Sequence, residues 1–314
     1  MMLELNNYYI QELENLTDLF TNIFVIIDDI YNEIIPIGIR NRRNIKDSKL
    51  SDNEIITISI VGELLTIDSE KSFFSLLKRE YKELFPRLGD RTRFNRTKRN
   101  LHSVINEIRE YISLYIQSYS NNIRVIDSMP IPVCEFGRAH FSKCFKGEAS
   151  YGICASKKET YFGFKFHALT TVDGFLTDYV ITPANIDDRN AVWDLCDKYR
   201  SISIIGDKGY INKRLTPELK SERDIDLLFL KRANSRDNYP KEVRQLLFKV
   251  RRRIETSFSQ LTEQLNLNKV KSKSMLGFMT RTSIKVLAHN ISFLINKLMR
   301  NDDSMAKIKR LVFG

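Results

Sequence analysis

Three acidic residues in this 314-residue chain have the types and settings that metal-dependent phosphoryl chemistry requires. Asp127 interrupts an apolar run that begins at Ile123, Asp207 follows a second apolar run, and Glu255 lies beside the apolar stripe of a predicted helix. A carboxylate buried in a strand costs several kcal/mol unless a partner compensates its charge. Divalent cations prefer carboxylate oxygens, and two ions about 3.5–4 Å apart can clamp the attacking and leaving oxygens of a phosphoryl displacement.

Each of these acids also has a structural interpretation. Asp127 could cap a turn at a strand end, and Asp207 could be the turn residue before Gly209. Glu255 could form a surface ion pair with Arg251, which precedes it by one helical turn. The residues taken together predict a metal site, but their spacing alone leaves the structural alternatives open.

The elements that would position these acids lie in residues 123–231. Asp173-Gly174 separates two strand-like runs, which is the strongest short-range signal for a β-hairpin. A hairpin followed by alternating helices and strands predicts a mixed α/β layer. Segment 135–160 has no clear period and is predicted to be a loop or insertion. The predicted elements are the strands Ile123–Val133, Tyr161–Val172, Phe175–Thr182, Ser201–Asp207 and Asp226–Leu230, and the helices Asp188–Tyr199 and Asn212–Arg223.

The rest of the chain reads as helical. Ser51-Asp-Asn-Glu54 is a capping-box pattern, and the basic run Arg91–Arg99 leads into a helix that ends near Ser118. Residues 1–118 therefore predict either a DNA-binding helical module or a helical platform. The predicted helices are Tyr9–Tyr31, Ser51–Leu65, Ser69–Phe85, a helix after the basic run, a long helix from Pro240 whose apolar stripe runs from Val243 to Leu265, and a last helix Ile284–Leu298 that closes the second domain.

The net charge of +11 is concentrated at one end of the chain. Residues 239–314 carry 16 basic and 5 acidic side chains. The net charge of this quarter of the chain therefore equals the net charge of the whole chain. Such a surplus favours binding to a polyanion, although ribosomal or membrane-surface binding would give the same statistic. No apolar run is long enough to span a bilayer, which argues against a membrane partner. The four cysteines do not resemble a disulfide framework, and we expect a cytoplasmic protein.

The order of the acids and their neighbours resembles the DDE transposases of bacterial insertion sequences, and most of all the insertion sequence 982 family. The resemblance is carried by Asp127, by Asp207-Lys-Gly-Tyr210 after an apolar strand, and by Phe248-x-x-Arg251-x-x-x-Glu255. The hairpin and the following Asp187-Asp188 are also similar to the second and third strands and next helix of that family. Together these features cover roughly residues 120–300.

The resemblance implies an α/β fold, an RNase H-like mixed sheet flanked by helices, in residues 119–300. It also implies a helical N-terminal domain, residues 1–118, for DNA binding or multimerisation. Residues 301–314, beyond the last predicted helix, are predicted to be a C-terminal tail. Asp127, Asp207 and Glu255 would be the catalytic residues and the ligands of two Mg²⁺ ions, for which Mn²⁺ can substitute. The implied reaction is hydrolysis of a phosphodiester at the element's end, followed by attack of the freed 3′-hydroxyl on target DNA.

The implied partner is double-stranded DNA, both the terminal inverted repeats and the target, bound by a homodimer or larger assembly in the nucleoid. The candidate DNA-binding residues are basic side chains near the predicted site or in the basic run: Lys208, Arg251, Arg252, Arg253, Arg91, Arg93 and Arg96. For Lys208 and Arg251 a solvated surface is an equally good interpretation. Phe248 and Thr262 depart from the Tyr and Lys that related families often carry. His167, in an apolar strand, is interpreted as a core histidine. A DNA-binding derivative without catalysis and a metal-dependent nuclease without strand transfer remain as alternatives.

Overall fold

The computed structural model describes residues 13–43, 45–117, 120–154, 158–210, 214–229, 239–299, 307–308 and 310–313, with the backbone alone described for Lys46, Lys208, Arg310 and Phe313. The helices are α1 Leu16–Ile34, α2 Ile37–Arg40, α3 Asp52–Leu64, α4 Glu70–Glu80, α5 Arg91–Asn100, α6 His102–Gln117, α7 Asp188–Cys196, α8 Leu215–Arg223, α9 Lys241–Ser259, α10 Met275–Leu298 and α11 Arg310–Phe313. The strands are β1 Ile123–Pro132, β2 Ser150–Cys154, β3 Glu159–Thr171, β4 Leu176–Pro183, β5 Ser203–Gly206 and β6 Asp226–Phe229.

The chain divides into two compact units. Residues 1–115 and 263–314, as far as they are described, form a helical unit, and residues 116–262 form an α/β unit. The sequence predicts a different boundary at the C-terminal side, with the last helix in the second domain. In the structure α10 packs against α3 and α5 of the helical unit. None of the described helices is both long and apolar enough to cross a membrane.

The helical unit is centred on α3. Residues on all sides of this helix are buried, which is expected of a helix surrounded by others, and it packs against α1 and α10. Its N-terminus has the predicted capping box: Ser51 Oγ accepts from the Glu54 backbone N–H, and the Glu54 side chain accepts from the Ser51 backbone N–H. The helix therefore begins where the sequence pattern predicts.

Near the end of α3, Glu63 forms a buried ion network with two cations of α10. Arg281 Nε donates to Glu63 Oε1 at 3.0 Å, and Lys285 Nζ donates to Glu63 Oε2 and to the Leu265 carbonyl. Burial would raise the pKa of Glu63, but Lys285 and Arg281 together hold it below its ordinary value. This network ties the N-terminal helices to α10, and the sequence pattern gave no indication of it.

The α/β unit contains a six-stranded mixed sheet with the order β2-β3-β1-β5-β6, and β4 also pairs with β3. β1 is parallel to β5 and β5 to β6, while β3 is antiparallel to β1, β2 and β4. β3 and β4 form the predicted hairpin, with Gly174 at a positive φ of 95° in the turn. The expected mixed sheet flanked by helices is thus present.

Helices cover both faces of this sheet. Ile204 of β5 packs in a core cluster with residues of α7 and α8, whereas its neighbour Ile205 packs with Leu247 of α9. Since successive side chains of a strand point to opposite faces, α9 lies on one face and α7 with α8 on the other.

Several element boundaries differ from the sequence prediction. Segment 135–160, predicted to be a loop, contains β2, an edge strand whose exposed side chains give no amphipathic alternation. α4 ends at Glu80 rather than Phe85, because Tyr81 and Phe85 turn to pack on the ring of Phe20. Leu101 separates the basic run and the next helix into α5 and α6.

The C-terminal helices differ as well. α10 begins at Met275, nine residues before the predicted start, with Ser274 as its cap. Val243 and Leu246, assigned to the buried stripe of α9, are exposed because the described packing on the sheet begins at Leu247. The predicted start of the first helix at Tyr9, the start of the second α/β helix at Asn212 and the strand end at Leu230 lie outside the described residues.

Candidate active site

Two of the predicted acids lie side by side at neighbouring strands. β1 and β5 pair in parallel with Val125 opposite Ile205, so Asp127 and Asp207, each two residues further on, lie at the same level and on the same face. Asp207 immediately follows the end of β5. This face is the one that α9 covers, since Ile205 packs against Leu247.

α9 supplies the third acid and a cation to the same place. Arg251 and Glu255 are one helical turn apart, and Ile254 and Phe258 of the same helix are buried. Arg251 Nη2 is 3.4 Å from Asp207 Oδ2, 3.7 Å from Asp127 Oδ2 and 3.9 Å from Glu255 Oε1. The structure therefore brings all three predicted acids around one guanidinium, whereas the sequence had suggested only the contact between Arg251 and Glu255.

The three carboxylates differ in their exposure to solvent. The side chains of Asp127, Asp207 and Glu255 are 19%, 41% and 56% exposed. The pKa of Asp127 is raised to about 6, chiefly by burial and to a smaller extent by the negative charges of Asp207 and Glu255. A hydrogen bond of 2.8 Å from the Ser128 backbone N–H and the nearby charge of Arg251 act in the opposite direction. Asp127 is therefore ionised at neutral pH only against a desolvation cost.

The donor chemistry of this cluster fits a hard divalent cation. Three carboxylates supply oxygen ligands from two strands and a helix, and one positive charge already lies among them. In the described part of the chain, no three His, Cys, Asp or Glu side chains are close enough together to hold a metal ion. The guanidinium of Arg251 lies among these oxygens, and its Nε has no hydrogen-bond partner among the described residues. Metal binding here would require Arg251 to move aside.

The opposite face of β1 carries a second polar cluster around Asp188. Lys165 Nζ donates to Asp188 Oδ1 at 2.8 Å and to the Ile186 carbonyl at 2.8 Å, and Ser128 Oγ donates to Asp188 Oδ2 at 3.3 Å. His167 is fully buried, as predicted, and its pKa is lowered to about 4, chiefly by burial. Asp188 thus fixes β1, β3 and the start of α7 immediately behind the acids.

The sequence analysis did not identify Lys165 and Ser128 as members of the polar cluster around Asp188. One signal was available in the sequence: Lys165 and His167 alternate in an otherwise apolar strand, which indicates a polar patch on one face. The sequence spacing does not reveal that Asp188 is their partner. Asp188 lies at the start of α7 and reaches β3 only because the chain returns through β4.

The predicted DNA-binding residues occupy three different settings. Arg252 and Arg253 are exposed on α9, and Arg251 faces the carboxylates. On α5, Arg91 donates to Glu70, Arg93 donates to the Asp47 carbonyl, and Arg96 is exposed. The side chain of Lys208 lies outside the description.

A protein-family model described as "Transposase DDE domain" matches residues 117–275, which is half of the chain. The chain belongs to the DDE transposases. The match begins just before β1 and ends at the first residue of α10, so it includes the strands and the helix that carry the three acids. No curated protein and no solved structure shows significant similarity to the chain.

Proposed function

We propose that this chain is a Mg²⁺-dependent DNA transposase of the insertion sequence 982 type. It binds the ends of its insertion sequence, hydrolyses a phosphodiester there and transfers the freed strand to target DNA. The observation that carries the proposal is the convergence of Asp127, Asp207 and Glu255 on a single cationic position in the family's matched domain. The mixed sheet, with helices on both faces, supports an RNase H-like fold for this domain.

In this mechanism Asp127, Asp207 and Glu255 would hold two divalent ions, Mg²⁺ or Mn²⁺. When bound, the ions would supply Lewis acidity toward the phosphodiester oxygens. Asp127, which is the most buried of the three, fixes the position of the site in the sheet, and the more exposed Asp207 and Glu255 complete it from the solvent side. In the absence of ions Arg251 offsets part of the negative charge of the carboxylates. When ions bind, its guanidinium is displaced and becomes free to bind a DNA phosphate.

The bonds exchanged are the same type in both steps. Water attacks the phosphorus at the element's end, the bond to the 3′-oxygen breaks, and that oxygen leaves as a 3′-hydroxyl while the other product keeps a 5′-phosphate. The 3′-hydroxyl then attacks a target phosphodiester and displaces the target's own 3′-oxygen. The number of phosphodiester bonds is unchanged in the second step, so no external energy source is required.

A cleavage assay on the full-length protein tests this function. The substrate is a labelled duplex that carries the inverted repeats flanking the gene, with Mg²⁺ or Mn²⁺ present. We expect cleavage that leaves a 3′-hydroxyl and joins it to a second duplex. Asp127→Asn should reduce cleavage by at least roughly a thousandfold, since it removes a ligand worth several kcal/mol in the transition state. DNA binding should be nearly unchanged.

Asp226→Asn is the matched control, because Asp226 is an exposed acid of the same unit that pairs only with Lys220 in the described structure. Its cleavage rate should equal that of the unsubstituted chain. Cleavage retained by Asp127→Asn would exclude the proposed active site. Cleavage without joining would indicate a metal-dependent nuclease, and binding without cleavage would indicate a derivative that only binds DNA.

A further inference from the structure

The helical unit contains a cleft that the proposed chemistry does not use. Its volume is about 470 Å³, within the range of ligand-binding pockets. It is formed by the end of α3, the first turn of α4, one face of α5 and the segment that leads into α10. Residues from both the first third and the last sixth of the chain therefore line one cavity.

Cationic side chains dominate the walls of this cleft. Seven lysines and arginines line it against three carboxylates. Those carboxylates already have partners: Glu63 binds Arg281, and Glu70 lies 2.6 Å from Lys98 and 3.3 Å from Arg91. The third, Asp68, lies 3.6 Å from Arg281 and 3.8 Å from Lys271. The cleft therefore has a surplus of positive charge that its own acids do not neutralise.

Lys71, Arg99 and Lys273 carry three of the four excess positive charges. No carboxylate of the described residues lies within 4 Å of any of the three. The Nε of Arg99 is shielded from solvent and has no hydrogen-bond partner among the described residues. A buried donor without an acceptor is destabilising, so Arg99 is suited to an acceptor that arrives with a ligand.

The start of α10 adds to the positive potential. Ser274 caps this 24-residue helix by accepting from the Gly277 backbone N–H at 3.3 Å, and both residues line the cleft. The N-terminus of a long helix carries partial positive charge and favours phosphate groups. The packing of this first turn favours glycine at position 277, because a Cβ there would lie 2.7 Å from Ser272 Oγ.

We propose that this cleft binds the phosphodiester backbone of duplex DNA, with Lys71, Arg99 and Lys273 contacting phosphates. The three unneutralised cations come from three separate elements, α4, α5 and the segment before α10, which suits contacts spaced along a strand rather than one small anion. The inference rests on the proposed function and deepens it, since it assigns the element's DNA to a site in the helical unit.

Fluorescence anisotropy with the full-length protein tests the assignment. The probe is a labelled duplex of the element's end, measured without divalent ions over a range of NaCl concentrations. The test variant combines Lys71→Gln, Arg99→Gln and Lys273→Gln. The matched control combines Lys78→Gln, Lys82→Gln and Arg87→Gln, which removes the same charge from exposed positions of the same unit that do not line the cleft.

We expect the cleft variant to bind at least about tenfold more weakly at low salt, with the slope of log K against log salt reduced by about 2–3. In the control variant, the affinity at low salt and the salt slope should both change by only a small fraction of these amounts. Because Arg99 is partly buried, the double variant Lys71→Gln/Lys273→Gln is measured in parallel, with an expected slope reduction of about 2. Circular dichroism establishes that each variant is folded.

Equal losses in the cleft and control variants would overturn the inference, because they would show only a general charge effect. Unchanged binding in the double variant would overturn it as well. Displacement of the duplex by inorganic phosphate alone at low millimolar concentration would show a small-anion site instead. Failure of the unsubstituted chain to bind DNA at all would reject the proposed function, a result distinct from normal binding by the cleft variants.

Discussion

The two units each contain a cluster of carboxylates and cations, with opposite charge ratios. In the helical unit one carboxylate, Glu63, is held by the two cations Lys285 and Arg281 through direct hydrogen bonds. In the α/β unit three carboxylates surround the single cation Arg251, and the nearest contact is 3.4 Å. In the first cluster the carboxylate is neutralised by its neighbouring cations, whereas the second cluster carries excess negative charge.

This difference distinguishes an ion network whose carboxylate is neutralised from one that keeps excess negative charge, as the proposed cation site requires. Where cations outnumber carboxylates, the pKa of Glu63 is lowered in spite of burial. Where carboxylates outnumber cations, the pKa of Asp127 is raised to about 6. Proximity of acids and bases alone therefore does not identify a functional site. The charge that remains after pairing is the more useful quantity.

Removing a cation from the neutralised cluster should have the largest effect. Lys285→Met leaves a buried carboxylate with Arg281 as its remaining close partner and deprives the Leu265 carbonyl of its donor. We expect the free energy of unfolding to fall by about 3 kcal/mol, measured by urea denaturation at pH 7. Adding Glu63→Gln should recover part of the loss. A fall of less than about 0.5 kcal/mol would show that the network does not stabilise the unit.

Removing a carboxylate from the cluster around Arg251 should raise the free energy of unfolding rather than lower it. Asp127→Asn eliminates a buried carboxylate whose pKa is raised, so the folded wild-type state loses stability as pH rises from 3.8 through about 6. Above pH 6, in EDTA, we expect the variant to be more stable by up to ~3 kcal/mol, with little difference near pH 4. Thermal unfolding across this pH range measures the effect.

Glu63→Gln is the counterpart for that experiment. Because the pKa of Glu63 lies below its ordinary 4.5, its stabilising contribution is present above that pH and is lost as pH falls through the lowered value. At neutral pH Glu63→Gln should therefore be less stable to unfolding than the wild type, whereas Asp127→Asn should be more stable. Equal signs would contradict the distinction between the clusters.

An exposed ion pair should give the smallest effect. Lys220 lies 2.7 Å from Asp224 and 3.0 Å from Asp226, and its side chain is about half exposed. Because water screens such pairs, Lys220→Gln should leave the urea concentration at the midpoint of unfolding nearly unchanged. A loss comparable to that of Lys285→Met would show that burial is not what distinguishes the two pairs.

Local signals in the sequence predicted much of the structure. The capping box at Ser51, the hairpin at Asp173-Gly174 and the strand that carries Asp127 depend on neighbouring residues, and each is confirmed. The sequence also placed the three acids in elements that the fold brings together. Their assignment as metal ligands stays a prediction, tested by the cleavage assay.

Features that depend on distant residues were not predicted. β2 pairs along the edge of β3 and has exposed Tyr151 and Ile153, so its own pattern contains no burial signal. The helical unit includes α10, which lies near the far end of the chain. The hydrophobic periodicity of α10 does not indicate which unit it packs in. The contact of Arg251 with Asp127 and Asp207 arises from packing of α9 on the sheet. In each case the decisive partner is a residue remote in sequence.

The ion network of α3 and α10 has a consequence for synthesis of the chain on the ribosome. Lys285 follows Glu63 by 222 residues. At a translation rate of about 5–20 residues per second, Lys285 is therefore synthesised roughly 10–45 s after Glu63. The N-terminal helices are made first, yet their unit is completed last, after the whole α/β segment has emerged. A nascent or truncated chain therefore lacks both the stabilised helical unit and a complete cationic cleft.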